Sequence, residues 1–159
     1  MAVDHLYTKI VGVTRGFRQR NISRLKLYEQ LVLEHEEDNP VDENAILCKR
    51  ANGEELGYLH ARLAKEVAEN HAKGYRYTAF VKNVTGGGDK TYGCNLLIIF
   101  ADPSSTDKEA QALMDEIIAT DPNFEELRKT SSSSSLLIIL LLFLMLLAIS
   151  CGCLGLLTS

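Results

Sequence analysis

The sequence holds no GxSxG, no HExxH and no Walker loop, so the usual routes to nucleophilic hydrolysis, zinc proteolysis and phosphoryl transfer have no motif to start from. Cysteine is scarce, with four in 159 residues. The start, MAVDHLYTKIVGV, lacks the basic n-region and continuous apolar h-region of a secretory signal, so a disulfide framework is not expected. His5, His35, His60 and His71 share no metal-ligand spacing with the cysteines, and Cys48 and Cys94 fall in strand-like runs as small core residues. No internal repeat is visible. An excess of positive charge is also missing. The net charge of −4 excludes a protein that coats nucleic acid over its whole surface and confines any polyanion site to a patch. These absences lead us to expect no cofactor, no metal and no enzymatic activity.

The charge that is present is segregated. Residues 1–28 sum to +5, residues 29–43 to −7, residues 44–100 to +3 and residues 101–129 to −5, and nothing after Lys129 is charged. The acidic block contains EEDNPVDENAI, residues 36–46, in which five carboxylates surround one proline and two asparagines. The spacing is not that of an EF-hand, which needs DxDxDG and a glutamate at the twelfth position. Two readings stay open for the loop: a shaped surface that reads a ligand, or a solvated turn capped by its own Asx side chains. The solvated reading covers Glu36, Glu37 and Glu43. The basic block contains RGFRQRNISRLK, residues 15–26, with five bases, no acid and an interleaved Phe17, the composition of a groove that tracks phosphates and stacks a base.

Residues 5–101 read as an α+β domain dominated by strands. Strand-like runs occupy Tyr7–Thr14, Leu31–Glu34, Ala45–Lys49 and Glu55–Leu59, the last entered through the hairpin signal Ala51-Asn52-Gly53. A helix over Ala61–Lys73 buries Leu63, Ala64, Val67, Ala68 and Ala72 and stops at Gly74. Tyr75, Tyr77, Ala79 and Val81 then alternate with Arg76, Thr78, Phe80 and Lys82, the period of a half-buried strand. The turn Gly86–Asp89 leads to a last strand, Tyr92–Phe100. Six short strands around one helix predict a small, partly closed barrel.

Beyond the domain, Thr106 to Glu109 fits a capping box, and Ala110, Leu113, Met114, Ile117 and Ile118 share one face of an amphipathic helix over 105–120. Asp121-Pro122 ends it, and residues 121–135 read as a linker finishing in Ser131–Ser135. Leu136–Leu157, LLIILLLFLMLLAISCGCLGLL, is 22 residues without a charge. At ~1.5 Å per residue it would span ~33 Å, the thickness of a bilayer's hydrocarbon core, which predicts a single transmembrane helix. Arg128 and Lys129 on its flank predict a cytoplasmic N-terminal domain by the positive-inside bias.

The order of motifs TKIVGVT, EEDNPVDENAI, ELGYLHARLA and the strand after Gly74 resembles a HIRAN domain over residues 8–101. This module occurs in the N-terminal part of certain SWI/SNF-type DNA translocases and as a stand-alone protein. The second motif is the most specific, a close variant of the family's DNPxDxNAI. The resemblance implies an OB-like β-barrel of about six strands with two helices. It also implies binding of DNA, with preference for a free 3′ end of a single strand, in support of work on damaged or stalled DNA. Carried onto this chain, it implies that Asn39 and Asp42 face the ligand and that Asn44-Ala45 lock the loop into the barrel. A carboxylate in such a site acts as an acceptor for a terminal hydroxyl or a base amino group, and repels an internal phosphate. Family members that bind DNA ends carry an arginine and two aromatics near the end of the first strand. This chain has Thr14-Arg15-Gly16-Phe17 there, so Arg15 and Phe17 stand in for them. Tyr92 matches an aromatic that stacks on the terminal base, and Arg62 lies beside the start of the central helix, where some members place a base. Together with Arg18 and Arg20 of the basic run, these form the expected nucleic-acid-binding set. The expected partners are single-stranded DNA or its ends, the membrane through Leu136–Leu157, and a protein that supplies catalysis. The competing expectation is a membrane-anchored protein-interaction module that binds no nucleic acid.

Overall fold

A computed structural model describes residues 3–122. In chain order these form β1 (Val3–Lys9), α1 (Arg18–Ile22), β2 (Gln30–His35), β3 (Ile46–Arg50), β4 (Glu55–Tyr58), α2 (Ala61–His71), β5 (Arg76–Gly87), β6 (Lys90–Ala101) and α3 (Asp107–Thr120). The compact unit runs to Asp115; a second begins at Glu116, and of it residues 116–122, which include the last residues of α3, are described. The expected linker lies almost wholly outside the described residues, and the expected membrane span Leu136–Leu157 lies wholly outside them. Among the described residues no helix is long and apolar enough to cross a membrane.

All six strands join one antiparallel sheet in the order β1-β6-β5-β2-β3-β4. Its backbone is the β5–β6 hairpin, twelve residues a side. The alternation read between residues 75 and 82 holds: Ala79 and Val81 have no exposure, and they share the interior with the fully buried Leu96 and Ile98. Register shifts between Val81 and Asn83 and between Thr85 and Gly87 kink this hairpin, as bulges do, and curl the sheet. α2 lays Leu63, Ala64 and Val67 into the same core, alongside Leu31, Ile46, Cys48 and Leu56. His60 caps its start, Nδ1 accepting from the Leu63 amide at 3.3 Å. The expected capping box of α3 is formed reciprocally. The Thr106 amide donates to Glu109 Oε2 at 2.7 Å, and the Glu109 amide donates to Thr106 Oγ1 at 3.3 Å. Met114 is the buried residue of the predicted apolar face.

Two features differ from the sequence reading. The first strand occupies Val3–Lys9, not Tyr7–Thr14. The β-branched run continues through Val13, but its residues change partner: the Ile10 amide still bonds the Cys94 carbonyl at 2.9 Å, whereas Val11 has crossed to Tyr58 of β4. The described residues also contain three helices, since part of the basic run forms the five-residue α1. The Val11–Tyr58 crossing joins the two ends of the sheet order at a single bridge, so the sheet is a six-stranded half-barrel with one seam.

Candidate nucleic-acid interface

The seam makes the site. Val11 and Tyr58 exchange both backbone hydrogen bonds, at 2.8 and 2.9 Å. So close an approach needs Gly57, whose φ is +143° and whose absent side chain would run into the Val11 carbonyl oxygen. Beside the seam lies a pocket of about 310 Å³, near the lower end of the ~300–1,000 Å³ usual for ligand sites. Val11, Tyr58 and Leu59 contribute from the seam, Arg15 and Arg18 from the basic run, and Asn39, Val41 and Asp42 from the acidic loop. Thus the most basic and the most acidic stretches of the chain meet on one cavity, and four of the eight sequence-predicted residues, Arg15, Arg18, Asn39 and Asp42, line it.

The acidic loop is held in shape by its own side chains. Asn39 Oδ1 accepts from the amides of Val41 at 3.0 Å and Asp42 at 3.3 Å. Asp42 Oδ1 accepts from the Asn44 amide at 2.9 Å, and the Asp42 carbonyl accepts from the Ala45 amide at 2.9 Å. Ala45 is buried and its carbonyl receives the Glu36 amide at 2.9 Å, which closes the loop on the barrel, as the family resemblance implies for this residue. Asn39 and Asp42 cap the turn with their own side chains, and both also line the pocket. Asp42 Oδ2 has no hydrogen-bond partner among the described residues.

The cationic wall has one fixed and one free member. Arg18 is 7 % exposed. Its guanidinium donates to the Gly12 carbonyl at 3.0 Å and to Glu55 at 2.8 Å, and it stacks 4.9 Å from the centre of the Tyr58 ring. Burial works against its charge, but its interactions with Glu55 and Tyr58 outweigh that and raise its pKa above the ordinary value. Arg15 is exposed, and its side chain has no partner among the described residues. The two arginines therefore differ in kind: Arg18 braces the wall, and Arg15 is available to an anion.

Gln19 fixes this segment to the barrel. Its carboxamide donates to the carbonyls of Val13 and Tyr92, both at 2.9 Å, and accepts from the Tyr92 amide at 2.7 Å, imitating one rung of a β-ladder. The remaining predicted residues lie outside the pocket. Phe17 is 77 % exposed, and Arg20 and Arg62 are exposed on α1 and α2. Tyr92 is half-buried against the core, and its ring lies where a side chain on Gly87 would be. The aromatic that does line the pocket is Tyr58, a member of the strand-like run Glu55–Leu59 that is absent from the expected set. Its signal was the Gly-Tyr pair in ELGYLHARLA, a glycine that permits close approach beside a ring with a polar end. Among the described residues no group of three or more His, Cys, Asp or Glu is placed to hold a metal ion.

Comparison with known proteins agrees with this architecture. A family model described as the HIRAN domain matches residues 3–99. The crystal structure of the HIRAN domain of human HLTF superposes with a TM-score of 0.51 at 20 % identity, covering 72 % of this chain and 88 % of that one. A crystal structure of a protein from Lactobacillus plantarum gives a TM-score of 0.49 at 20 % identity, covering 62 % of this chain and 96 % of that one. No curated protein matches.

Proposed function

The chain belongs to the HIRAN domain family, and on that premise we propose that it is a nucleic-acid-binding module whose seam pocket takes the end of a DNA single strand. The observation that carries the proposal is the pairing, in one cavity, of an uncommitted Arg15 guanidinium with an uncommitted Asp42 oxygen. An arginine supplies charge to a phosphate, and a carboxylate oxygen accepts from a hydroxyl or an amino group. A terminal nucleotide offers both groups; an internal one replaces the hydroxyl with a second phosphate that Asp42 repels. The Tyr58 ring, braced by Arg18, supplies an apolar surface for a base or sugar. Arg20, Arg62 and Phe17, exposed outside the pocket, guide the rest of the strand, and Tyr92 acts at the margin of that path.

The module binds and does not catalyse; a partner protein supplies the chemistry on damaged or stalled DNA. We also place it at a membrane through Leu136–Leu157, with its N-terminal domain in the cytoplasm, a reading supported by the uncharged run and by Arg128 and Lys129 before it. The test is equilibrium binding of the full-length chain to short single strands with free or blocked 3′ ends, over a range of salt. Free ends should bind more tightly, and log affinity should fall linearly with log salt at about −0.7 per neutralised phosphate. Absence of binding at low salt would favour the protein-interaction module instead.

A further inference from the structure

We infer that Glu36 is the positioning residue of the seam pocket: through one carboxylate oxygen it holds the acceptor wall in place against the ring-and-guanidinium wall. The consequence for a ligand rests on the nucleic-acid reading above; the geometric part does not. Glu36 is half-buried directly after β2, and nearly all of its polar groups are engaged. Its amide donates to the Ala45 carbonyl at 2.9 Å and its carbonyl accepts from the Asn39 amide at 3.0 Å. Its Oε2 accepts two side-chain donors, Asn39 Nδ2 at 2.7 Å and the Tyr58 hydroxyl at 3.0 Å. Asn39 passes the constraint on through Oδ1, which accepts from the Val41 and Asp42 amides. Tyr58 passes it the other way, since its ring lies under the Arg18 guanidinium, which is bonded to Gly12. A continuous chain of contacts therefore runs from Asp42 through Asn39, Glu36 and Tyr58 to Arg18, crossing from loop to barrel at Glu36. Two donors on one oxygen fix its position more closely than one. The neighbouring Glu37 and Asp38 are exposed and make no such link; Glu37 lies 3.9 Å from His35 and hydrogen-bonds to neither wall among the described residues.

The test uses the full-length chain and four variants: Glu36→Ala, Glu36→Gln, Tyr58→Phe and the double variant Glu36→Ala/Tyr58→Phe. Amide hydrogen exchange at Val41 and Asp42 is measured without ligand, and binding is measured with oligodeoxynucleotides carrying free or blocked 3′ ends. Glu36→Ala should speed exchange at both amides and lower affinity for the free-ended strand about tenfold, with blocked-ended binding nearly unchanged. Glu36→Gln keeps an acceptor oxygen and should restore both. Tyr58→Phe should give part of the loss, and the double variant no more than Glu36→Ala alone, because both break one link. The inference is overturned if Glu36→Ala leaves exchange at the two amides as in the parent. It is equally overturned if free and blocked ends weaken together in step with the melting temperature, which would make Glu36 a contributor to stability only. If the parent binds no oligonucleotide, the nucleic-acid reading fails, and the exchange rates alone decide the role of Glu36.

Discussion

Asp42 Oδ1 caps the turn, Oδ2 is proposed to accept from a terminal hydroxyl, and substitution can separate the two. Asp42→Asn keeps an oxygen for the Asn44 amide and replaces Oδ2, so the melting temperature should hold while preference for a free 3′ end is lost. Asp42→Ala removes both and should also cost ~1 kcal/mol of stability, the scale of a lost side-chain cap. A stable Asp42→Asn protein with its end preference intact would take Asp42 out of the site. The two arginines separate in the same way. Arg15→Ala should leave stability alone and flatten the salt slope by roughly 0.7, one phosphate's worth. Arg18→Ala strips Gly12 and Glu55 of a donor and uncovers Tyr58, so denaturant titration should show a loss of about 1–3 kcal/mol. Part of this was legible beforehand, the basic run through its composition and EEDNPVDENAI through its resemblance to the family motif. What stayed hidden was the division of labour. Arg15 and Arg18 look alike in a sequence, and only the fold shows that one faces solvent while the other is buried against Glu55. Tyr58 escaped for a related reason: a tyrosine in a strand reads as packing until its strand is known to form a seam.

At the level of elements, periodicity and capping carried well and partner choice did not. The capping box of α3, the apolar face of α2 and the alternation of β5 are all set by neighbours within a few residues. The end of β1 is set by β4, more than forty residues away, and no local signal marks where Val11 changes partner. Gly57 marks the far side of that exchange, and Gly57→Ala should cost on the order of 3 kcal/mol by calorimetry, since both the backbone angle and the Val11 carbonyl oppose a side chain. The caps also predict a pH dependence. Hydrogen bonds from Ser104 and Ser105 hold the Asp102 carboxyl below its usual range, and those from Thr106 do the same for Glu109. Groups with folded pKa values lowered in this way stabilise the fold fully above the ordinary carboxylate range, and the benefit disappears as pH falls through their lowered values. Melting temperature should therefore decline below about pH 4, and the variant Asp102→Asn/Glu109→Gln should show a shallower decline. An unchanged slope would mean that these caps do not matter to stability. In the core strands, burial pushes the Cys94 thiol up to about 12 and raises that of Cys48 as well. Peptide mapping after thiol alkylation at pH 8 should find both unmodified in the native protein and both modified after denaturation.

For the whole molecule, the fold class and the partly closed barrel followed from six short strands and a family motif, whereas the pocket depends on long-range closure that composition cannot express. Basic and acidic blocks lie next to each other in the sequence with opposite charge, which alone would suggest a simple salt-bridged pair. The barrel instead sets them on two walls of one cavity, with the Arg15 side chain and one oxygen of Asp42 without a partner among the described residues. If Leu136–Leu157 is a membrane anchor, the full chain should resist extraction from membranes by high salt or alkali, and deletion of Leu136–Ser159 should release a soluble, folded protein. Aggregation of that truncated chain would make the run part of the fold. The central claim, that this seam pocket is the nucleic-acid site, is tested most directly by mapping backbone amide shifts as a single-stranded oligodeoxynucleotide with a free 3′-hydroxyl is added. Perturbations should concentrate at residues 11–18, 36–45 and 58–62 and be suppressed when the 3′ end is blocked; shifts confined to the β5–β6 hairpin tip or to α3, with the seam silent, would place the site elsewhere.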